Sequence, residues 1–309
     1  MSFSFNFDIG DHSNQESPDL LKVLAKNVDI DKGIDESTES KISLTIVECP
    51  IELLNIKIPS QPILNCTMGI DMQLLKSTLY NHNGLDSNYD LIPGIYGGGY
   101  KIWESSIDLV YYLLDELKNE GISADANYLE LGCGQGFPGI ICFKLGAQKV
   151  LFSDFNKEVI LHTLWPNIIL NCESECKETI CYLKDRVKCI AGDWSELSLA
   201  LNNRLYDDLP DKFDVIISAE TLYSIESCHS LFQMVTKHLS VTGKCYIATK
   251  RYYFGVGGGS NELFNLLNLF NEAKKKSSEK ISLVYKIVKT VDDGLSNIRE
   301  IIRINYSTS

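Results

Sequence analysis

Along the middle of the chain, short apolar runs alternate with stretches whose apolar residues recur every three or four positions. "NYLEL" (127–131), "KVLFSD" (149–154), "RVKCIAGD" (186–193), "FDVIISAE" (213–220) and "GKCYIATK" (243–250) have the length and apolar density of strands buried on both faces. Ahead of the first, Ile107, Val110, Tyr111, Leu114 and Leu117 predict an amphipathic helix that Gly121 closes. After it, Pro138 stands where a first helical turn accepts proline and Gly146 where a helix ends. Val159, Ile160 and Leu164 mark another helix, which Pro166 is expected to interrupt, and "HSLFQMVTKHL" (229–239) a further one. Alternating strands and helices predict a parallel sheet covered on both faces. The last segment, "KISLVYKIVKTVDDGLSNIREIIRINY" (280–306), reads as two strands turning at Asp292–Asp293–Gly294, an antiparallel hairpin.

The first third of the chain lacks this rhythm. Residues 1–40 are polar and acidic, and are expected to form a flexible segment. "KISLTIVECPIELLNIKIPSQPIL" (41–64) holds apolar clusters broken by Pro50, Pro59 and Pro62, which suits short strands or extended pieces laid on a core. The turn-rich "NHNGLDSNYD" (81–90) is the candidate boundary. Three regions are therefore expected: 1–40, an extension at 41–89, and a main domain at 90–309.

Composition narrows the partners. The chain has 309 residues, 44 % hydrophobic and 23 % charged, in the range of globular proteins. No apolar run is long enough to cross a bilayer, so no membrane partner is expected. "MSFSFNFDIGDHSNQES" lacks a basic region followed by an apolar one, and the ten cysteines read as reduced thiols. A cytoplasmic or nuclear monomer is the expectation. The net charge of −12 disfavours nucleic acid. Residues 1–60 hold 11 acids against 5 bases, which suits a basic partner or simply a solvated tail.

Three glycine clusters compete for a ligand: "PGIYGGGYKIWE" (93–104), "LELGCGQGFPG" (129–139) and "YYFGVGGGSNELF" (252–264). Only the second follows a strand and opens a helix, so Gly132, Gly134 and Gly136 are the residues expected to let a cofactor approach the backbone. The spacing does not match a dinucleotide fingerprint, and no triphosphate-binding loop occurs in the chain. Asp154, ending the second strand, can accept both hydroxyl protons of a ribose, or cap a helix. Asp193 and Trp194, after the third strand, can meet an adenine through a hydrogen bond and a flat face, although Trp194 also suits a core. A glycine loop with two acids on the next two strands and no phosphate site points to S-adenosylmethionine.

Seven blocks now stand in order: "LIPGIYGGGYKIWESSIDL", "LELGCGQGFPGI", "FSDFNKEVI", "WPNIILN", "AGDWSEL", "SAETLYSIE" and "YYFGVGGG". Together they resemble the eukaryotic histidine protein methyltransferases, from about Asp90 to the C-terminus. The resemblance implies a Rossmann-like seven-strand class I methyltransferase fold: five parallel strands plus the hairpin, helices on both faces. It implies cofactor contacts at Ile102, Trp103, Glu104, Ser105 and Ser106, with Gly132 beneath the methionine end. Asp154, Phe155 and Asn156 would surround the ribose, Gly192, Asp193 and Trp194 would hold the adenine, and Ser218 would close the pocket. Where relatives tend to carry a glutamate, this chain has Gly97.

Methyl transfer is a displacement at a sulfonium methyl, so positioning dominates. A neutral imidazole nitrogen needs little activation beyond selection of a tautomer. Glu220, in Glu220–Thr221–Leu222–Tyr223, is the candidate to accept a hydrogen bond or proton from the acceptor ring, with Tyr223 lining the slot; a helix-start cap is its alternative role. The chain has no Pro-Pro block of the nucleobase methyltransferases and no Thr-His-Trp block of the arginine ones. A protein substrate is expected, histidine ahead of lysine, with a non-catalytic binding module as the alternative from another class. The resemblance implies a large-subunit ribosomal protein modified on the tele nitrogen. The "YYFGVGGG" loop becomes a substrate-side element, with Tyr252, Tyr253 and Phe254 shaping the entry and Gly257 and Gly258 allowing a backbone to pass close; Ser260 is the expected cap of the helix after it. Cys172, Cys176 and Cys181 lack metal-ligand spacing, and no metal is expected.

Overall fold

The computed structural model describes residues 43–49, 60–62, 76–78, 98–120, 125–171, 183, 185–277, 281–294 and 297–308. The acidic segment 1–40, the boundary at 81–90, Gly97, Gly121 and the cysteines 172, 176 and 181 lie outside them.

In chain order the elements are β1 (Thr45–Ile46), β2 (Ser60–Pro62), β3 (Lys76–Thr78), α1 (Glu104–Glu120), β4 (Asn127–Leu131), α2 (Phe137–Lys144) and β5 (Lys149–Asp154). Then come α3, built from Lys157–Val159, Ile160–Leu164 and Trp165–Asn171, and β6 (Val187–Ala191), α4 (Trp194–Asn202), β7 (Phe213–Ala219) and α5 (Ile225–His238). The chain ends with β8 (Leu239–Lys250), α6 (Ser260–Lys276), β9 (Ile281–Val291) and β10 (Arg299–Thr308). The main sheet runs β1-β6-β5-β4-β7-β8-β10-β9, with β2 and β3 forming a separate ladder. β6, β5, β4, β7 and β8 are parallel, and β10 runs antiparallel to both β8 and β9. The expected five parallel strands and hairpin are all present.

Successive side chains of a strand face opposite ways, and each face has its own core. Tyr128, Phe152 and Tyr246 pack with Leu109, Leu113, Ile140 and Ile160 on one side. Leu129, Leu131, Leu151 and Ile217's neighbour Ile216 pack with Leu197, Leu231, Val235 and Leu263 on the other. This double burial explains why the strands read as continuous apolar runs. The parallel pairing brings the C-terminal ends of β4, β5, β6, β7 and β8 to one edge, where ligands bind in sheets of this kind.

Three local expectations are corrected. The sheet has an eighth strand, because β1 adds antiparallel to the edge of β6 with Thr45 opposite Ala191. Pro166 does not interrupt its helix. A π-helical turn at Ile160–Leu164 precedes it, Trp165 N–H reaches back to the carbonyl of Ile160, and the wider turn accommodates a residue without a donor. Finally, Gly259 caps α6 rather than Ser260, whose buried hydroxyl instead donates to Glu300 Oε2 at 2.5 Å.

Candidate active site

The glycine loop after β4 turns through left-handed conformations at Gly132 (φ 64°), Gly134 (φ 50°) and Gly136 (φ 75°). This geometry aims Gly134 N–H at the end of β5, where it donates to Asp154 Oδ2 at 2.9 Å; Asn156 N–H donates to Oδ1 at 3.0 Å. Asp154 is buried. Burial pushes its pKa up, while the backbone bonds from Asn156, Gly134 and Phe155 pull it down. With two oxygens and about four acceptor positions, the carboxylate is not saturated by these backbone donors.

One residue of this loop system went unnoticed in the sequence. Glu130, a lone acid inside the apolar β4, accepts from Gly139 N–H at 2.8 Å and so secures the first turn of α2. Burial raises its pKa to about 8, against the Gly139 bond and with help from Asp154. An acid placed mid-strand, two residues before Gly132, was the available clue. A second is Gly99, over Asp154: a Cβ there would lie 3.3 Å from Asp154 Oδ2 and 2.7 Å from Val159 Cγ1.

The wall opposite comes from the loops after β6 and β7. A Cβ on Gly132 would sit 2.5 Å from Thr221 Cγ2 and 3.5 Å from Trp194 Cζ2, so the indole and Thr221 flank the glycine loop. Asp193 is exposed and caps α4, its Oδ1 accepting from Ser195 N–H at 2.7 Å. Gly192 (φ 142°) abuts Leu44: a Cβ there would lie 2.6 Å from Leu44 Cδ2, so a side chain has to push that methyl aside as well as hold a backbone angle that favours glycine. Ser218 is buried, donating to the Leu131 carbonyl at 2.9 Å and paired with Thr221 Oγ1 at 2.6 Å. Phe155 stands 44 % exposed beside Asp154 and Asn156.

Glu220 follows β7 with φ 57°, a left-handed conformation that few non-glycine residues hold. Its N–H donates to the Ala248 carbonyl at 2.9 Å. Its carboxylate is buried and accepts from Ser105 Oγ at 2.5 Å on Oε1 and from Tyr253 OH on Oε2. Thr249 Oγ1 in turn donates to Tyr253 OH at 3.3 Å. Burial and the Glu220 charge push the Tyr253 phenol well up. Tyr253 therefore points inward, while Tyr252 (50 % exposed) and Phe254 (78 %) face out. Tyr223 is half-buried, and its phenol is pushed up chiefly by burial and further by the charges of Asp154 and Glu226.

The segment before α1 closes the front. Trp103 Nε1 donates to the Gly98 carbonyl at 3.0 Å, and Ser106 Oγ to the Trp103 carbonyl at 2.7 Å. Lys250 Nζ lies 5.6 Å from the centre of the Trp103 ring and 5.8 Å from that of Tyr253. Ile102 packs against the core on the α1 side. Glu104 turns away to Arg299, at 3.5 Å from Nη1. In the rear loop, a Cβ on Gly258 would lie 2.1 Å from the Leu222 carbonyl oxygen, and Gly257 bridges to Ser224. The backbone that passes close to these glycines is the chain's own, between residues 222 and 224.

A doubly wound sheet with a glycine loop after its first parallel strand, a buried carboxylate ending its second and a buried acid after its fourth defines the Rossmann-like methyltransferase class. Residues 93–268 match the family model described as lysine methyltransferase. The chain is 40 % identical over 215 residues to a histidine protein methyltransferase 1 homolog of Dictyostelium discoideum, covering 70 % of this chain and 60 % of that protein. It is 30 % identical over 310 residues to a histidine protein methyltransferase 1 homolog of Bos taurus, covering 96 % of this chain and 76 % of that one. A stretch of 82 residues is 37 % identical to a protein N-terminal and lysine N-methyltransferase EFM7 of Cryptococcus neoformans, 26 % of either chain. The chain belongs to this methyltransferase family, and its long-range similarity is to the members named for histidine.

Proposed function

We propose that the protein transfers a methyl group from S-adenosylmethionine to an imidazole nitrogen of a histidine in a protein substrate. The observation that carries this reading is the juxtaposition of two acids with different surroundings at one sheet edge. Asp154 is tied to the glycine loop by backbone N–H groups, and Glu220 is held among hydroxyls beside the outward-facing aromatics. The names of the similar proteins supply histidine as the acceptor. A large-subunit ribosomal protein as target and the tele nitrogen as the site of transfer belong to the same proposal, as does a cytoplasmic or nuclear location.

The donor set fits the cofactor. Asp154 offers two oxygens to a ribose diol, Trp194 offers a flat face near Gly132, and the turn at Gly132–Gly136 leaves backbone without side chains. With Asp154 only 4 % exposed under Gly99, the segment 98–100 has to shift for hydroxyls to reach it. When bound, the cofactor supplies an electrophilic methyl. The chain's part is alignment: Glu220 accepts the N–H of the acceptor ring and so fixes which nitrogen keeps its lone pair, while Tyr223 bounds the slot. Imidazole, with an unperturbed pKa of about 6.5, is largely neutral at pH 7 and needs no stronger base.

The test is incubation of the protein with methyl-labelled S-adenosylmethionine and a ribosomal protein extract, then hydrolysis and amino-acid analysis. Label in methylhistidine is expected. Label confined to methyllysine sinks the reading in favour of lysine, and no label together with no thermal stabilisation by S-adenosylmethionine or S-adenosylhomocysteine sinks the enzyme altogether.

A further inference from the structure

We infer that Ser105 and Tyr253 are positioning residues that lock the Glu220 carboxylate and thereby join the cofactor-side segment ahead of α1 to the substrate-side loop after β8. The inference deepens the proposed methyl transfer and rests on it.

The three groups come from three separate parts of the chain, 115 residues apart for Ser105 and Glu220 and 33 for Glu220 and Tyr253. All are buried: Ser105 is 0 % exposed, Tyr253 4 % and Glu220 8 %. Each carboxylate oxygen receives one hydroxyl, so neither is spent twice, and each keeps a lone pair. An extended Glu side chain has several rotamers; two donors on opposite oxygens leave one. The backbone is constrained in the same sense. Glu220 sits at φ 57°, one of two non-glycine residues with positive φ among those described, and such conformations persist only where surrounding contacts over-determine them.

The clamp also has reach. Ser105 lies between Trp103 and Ser106, within the stretch expected to touch the cofactor, and Trp103 binds the Gly98 carbonyl in the segment that covers Asp154. Tyr253 also ties the loop together through its backbone: its N–H donates to the Gly258 carbonyl at 3.4 Å, and its own carbonyl accepts from Val256 N–H at 3.4 Å and Gly257 N–H at 3.3 Å. Pulling Tyr253 inward thus holds the loop 253–258 against residues 222–224. Movement of the front segment upon cofactor binding is transmitted through one carboxylate to the loop that meets the acceptor.

The experiment uses the full chain, labelled S-adenosylmethionine and purified large ribosomal subunits at varied concentration. Tyr253→Phe removes one hydroxyl and keeps the ring. It is expected to lower kcat by about 10- to 100-fold, the scale of a misaligned catalytic group, with KM and S-adenosylhomocysteine affinity within about twofold. The double variant Glu220→Gln/Tyr253→Phe is expected to be no slower than Glu220→Gln, because both remove the same aligned group. Ser105→Ala should follow Tyr253→Phe, and Ser105→Thr, which keeps the hydroxyl, should restore most of the rate. Additive losses, or a Tyr253→Phe rate equal to wild type, overturn the inference. Hydrogen exchange supplies a readout independent of the acceptor. S-adenosylhomocysteine is expected to protect amides of 252–258 in wild type and not in Tyr253→Phe. If that pattern holds while no methylation occurs, the proposed reaction falls and the clamp stands; equal protection in both overturns the clamp.

Discussion

At the scale of single residues, two positions make sharp claims. Gly258 was expected to let a substrate backbone pass, and its neighbour is instead the carbonyl of Leu222, 2.1 Å from where a Cβ would stand. Even alanine has to displace the turn that carries Tyr223. Gly258→Ala is therefore expected to destabilise the fold by about 1–3 kcal/mol, as overpacking does, and to lower methyl transfer more than cofactor affinity. Thermal melts and initial rates check both; unchanged rates would mean that the turn after β7 is not part of the acceptor slot. His238 is the second. It is buried between Ser198 Oγ, 2.8 Å from Nε2, and the Asp211 carbonyl, 2.8 Å from Nδ1. Burial lowers its pKa to about 4. Its folded value lies below the unfolded one near 6.5, so the unfolded chain binds the extra proton between those limits. The contribution is complete above about pH 6.5 and is lost as pH falls toward 4, roughly 3 kcal/mol across the window. In urea titrations at pH 4.5 and 7.5, His238→Gln should show a flatter dependence than wild type. An unchanged slope would assign the acid sensitivity to other groups.

At the scale of elements, the parallel strands and the hairpin were legible because each strand is buried on both faces and therefore spells an apolar run. Asp154 was legible as the end of a buried strand, because a lone acid closing an apolar run marks where the strand stops. What stayed hidden depended on partners distant in sequence. Tyr253 reads like its exposed neighbours Tyr252 and Phe254 until Glu220 is seen beside it, and a π-helical turn ahead of Pro166 has no composition of its own. The brevity of β1 hid it too. Two residues pair with β6, yet Val47 behind them is buried, its carbonyl accepting from Trp165 Nε1 at 2.9 Å and its N–H donating to the Cys189 carbonyl at 2.9 Å. Val47→Asp places a charge in that core and should cost about 3 kcal/mol or more. Because Leu44, just ahead of β1, lies against Gly192, weaker binding of S-adenosylhomocysteine should accompany the lower melting temperature. α5 offers a milder comparison. Ser224 and Ser227 form a reciprocal cap, and Ser224→Ala should cost about 1 kcal/mol.

At the scale of the whole molecule, charge does two different things. Inside, Arg299 on β10 is 7 % exposed and binds Asp108 Oδ2 at 2.6 Å, Asp293 Oδ2 at 3.0 Å and Glu104 Oε2 at 3.5 Å, so it fastens the hairpin to α1 next to Ser105. Outside, the chain as a whole carries a net charge of −12, opposite in sign to a basic protein substrate of the kind proposed. Opposite net charges steer encounter and contribute little to the aligned complex, and screening acts on them over a Debye length of about 10 Å at 0.1 M salt. Raising potassium chloride from 50 to 300 mM should therefore increase KM for large ribosomal subunits several-fold while kcat changes little. Affinity for S-adenosylhomocysteine, whose proposed contacts at Asp154 and the glycine loop are local, should remain within about twofold. A loss confined to kcat would place the salt-sensitive charges in the slot itself, with Glu220 the first to examine. No salt effect on either constant would mean that the acidic surface does not face the substrate, and a basic partner would lose its electrostatic support.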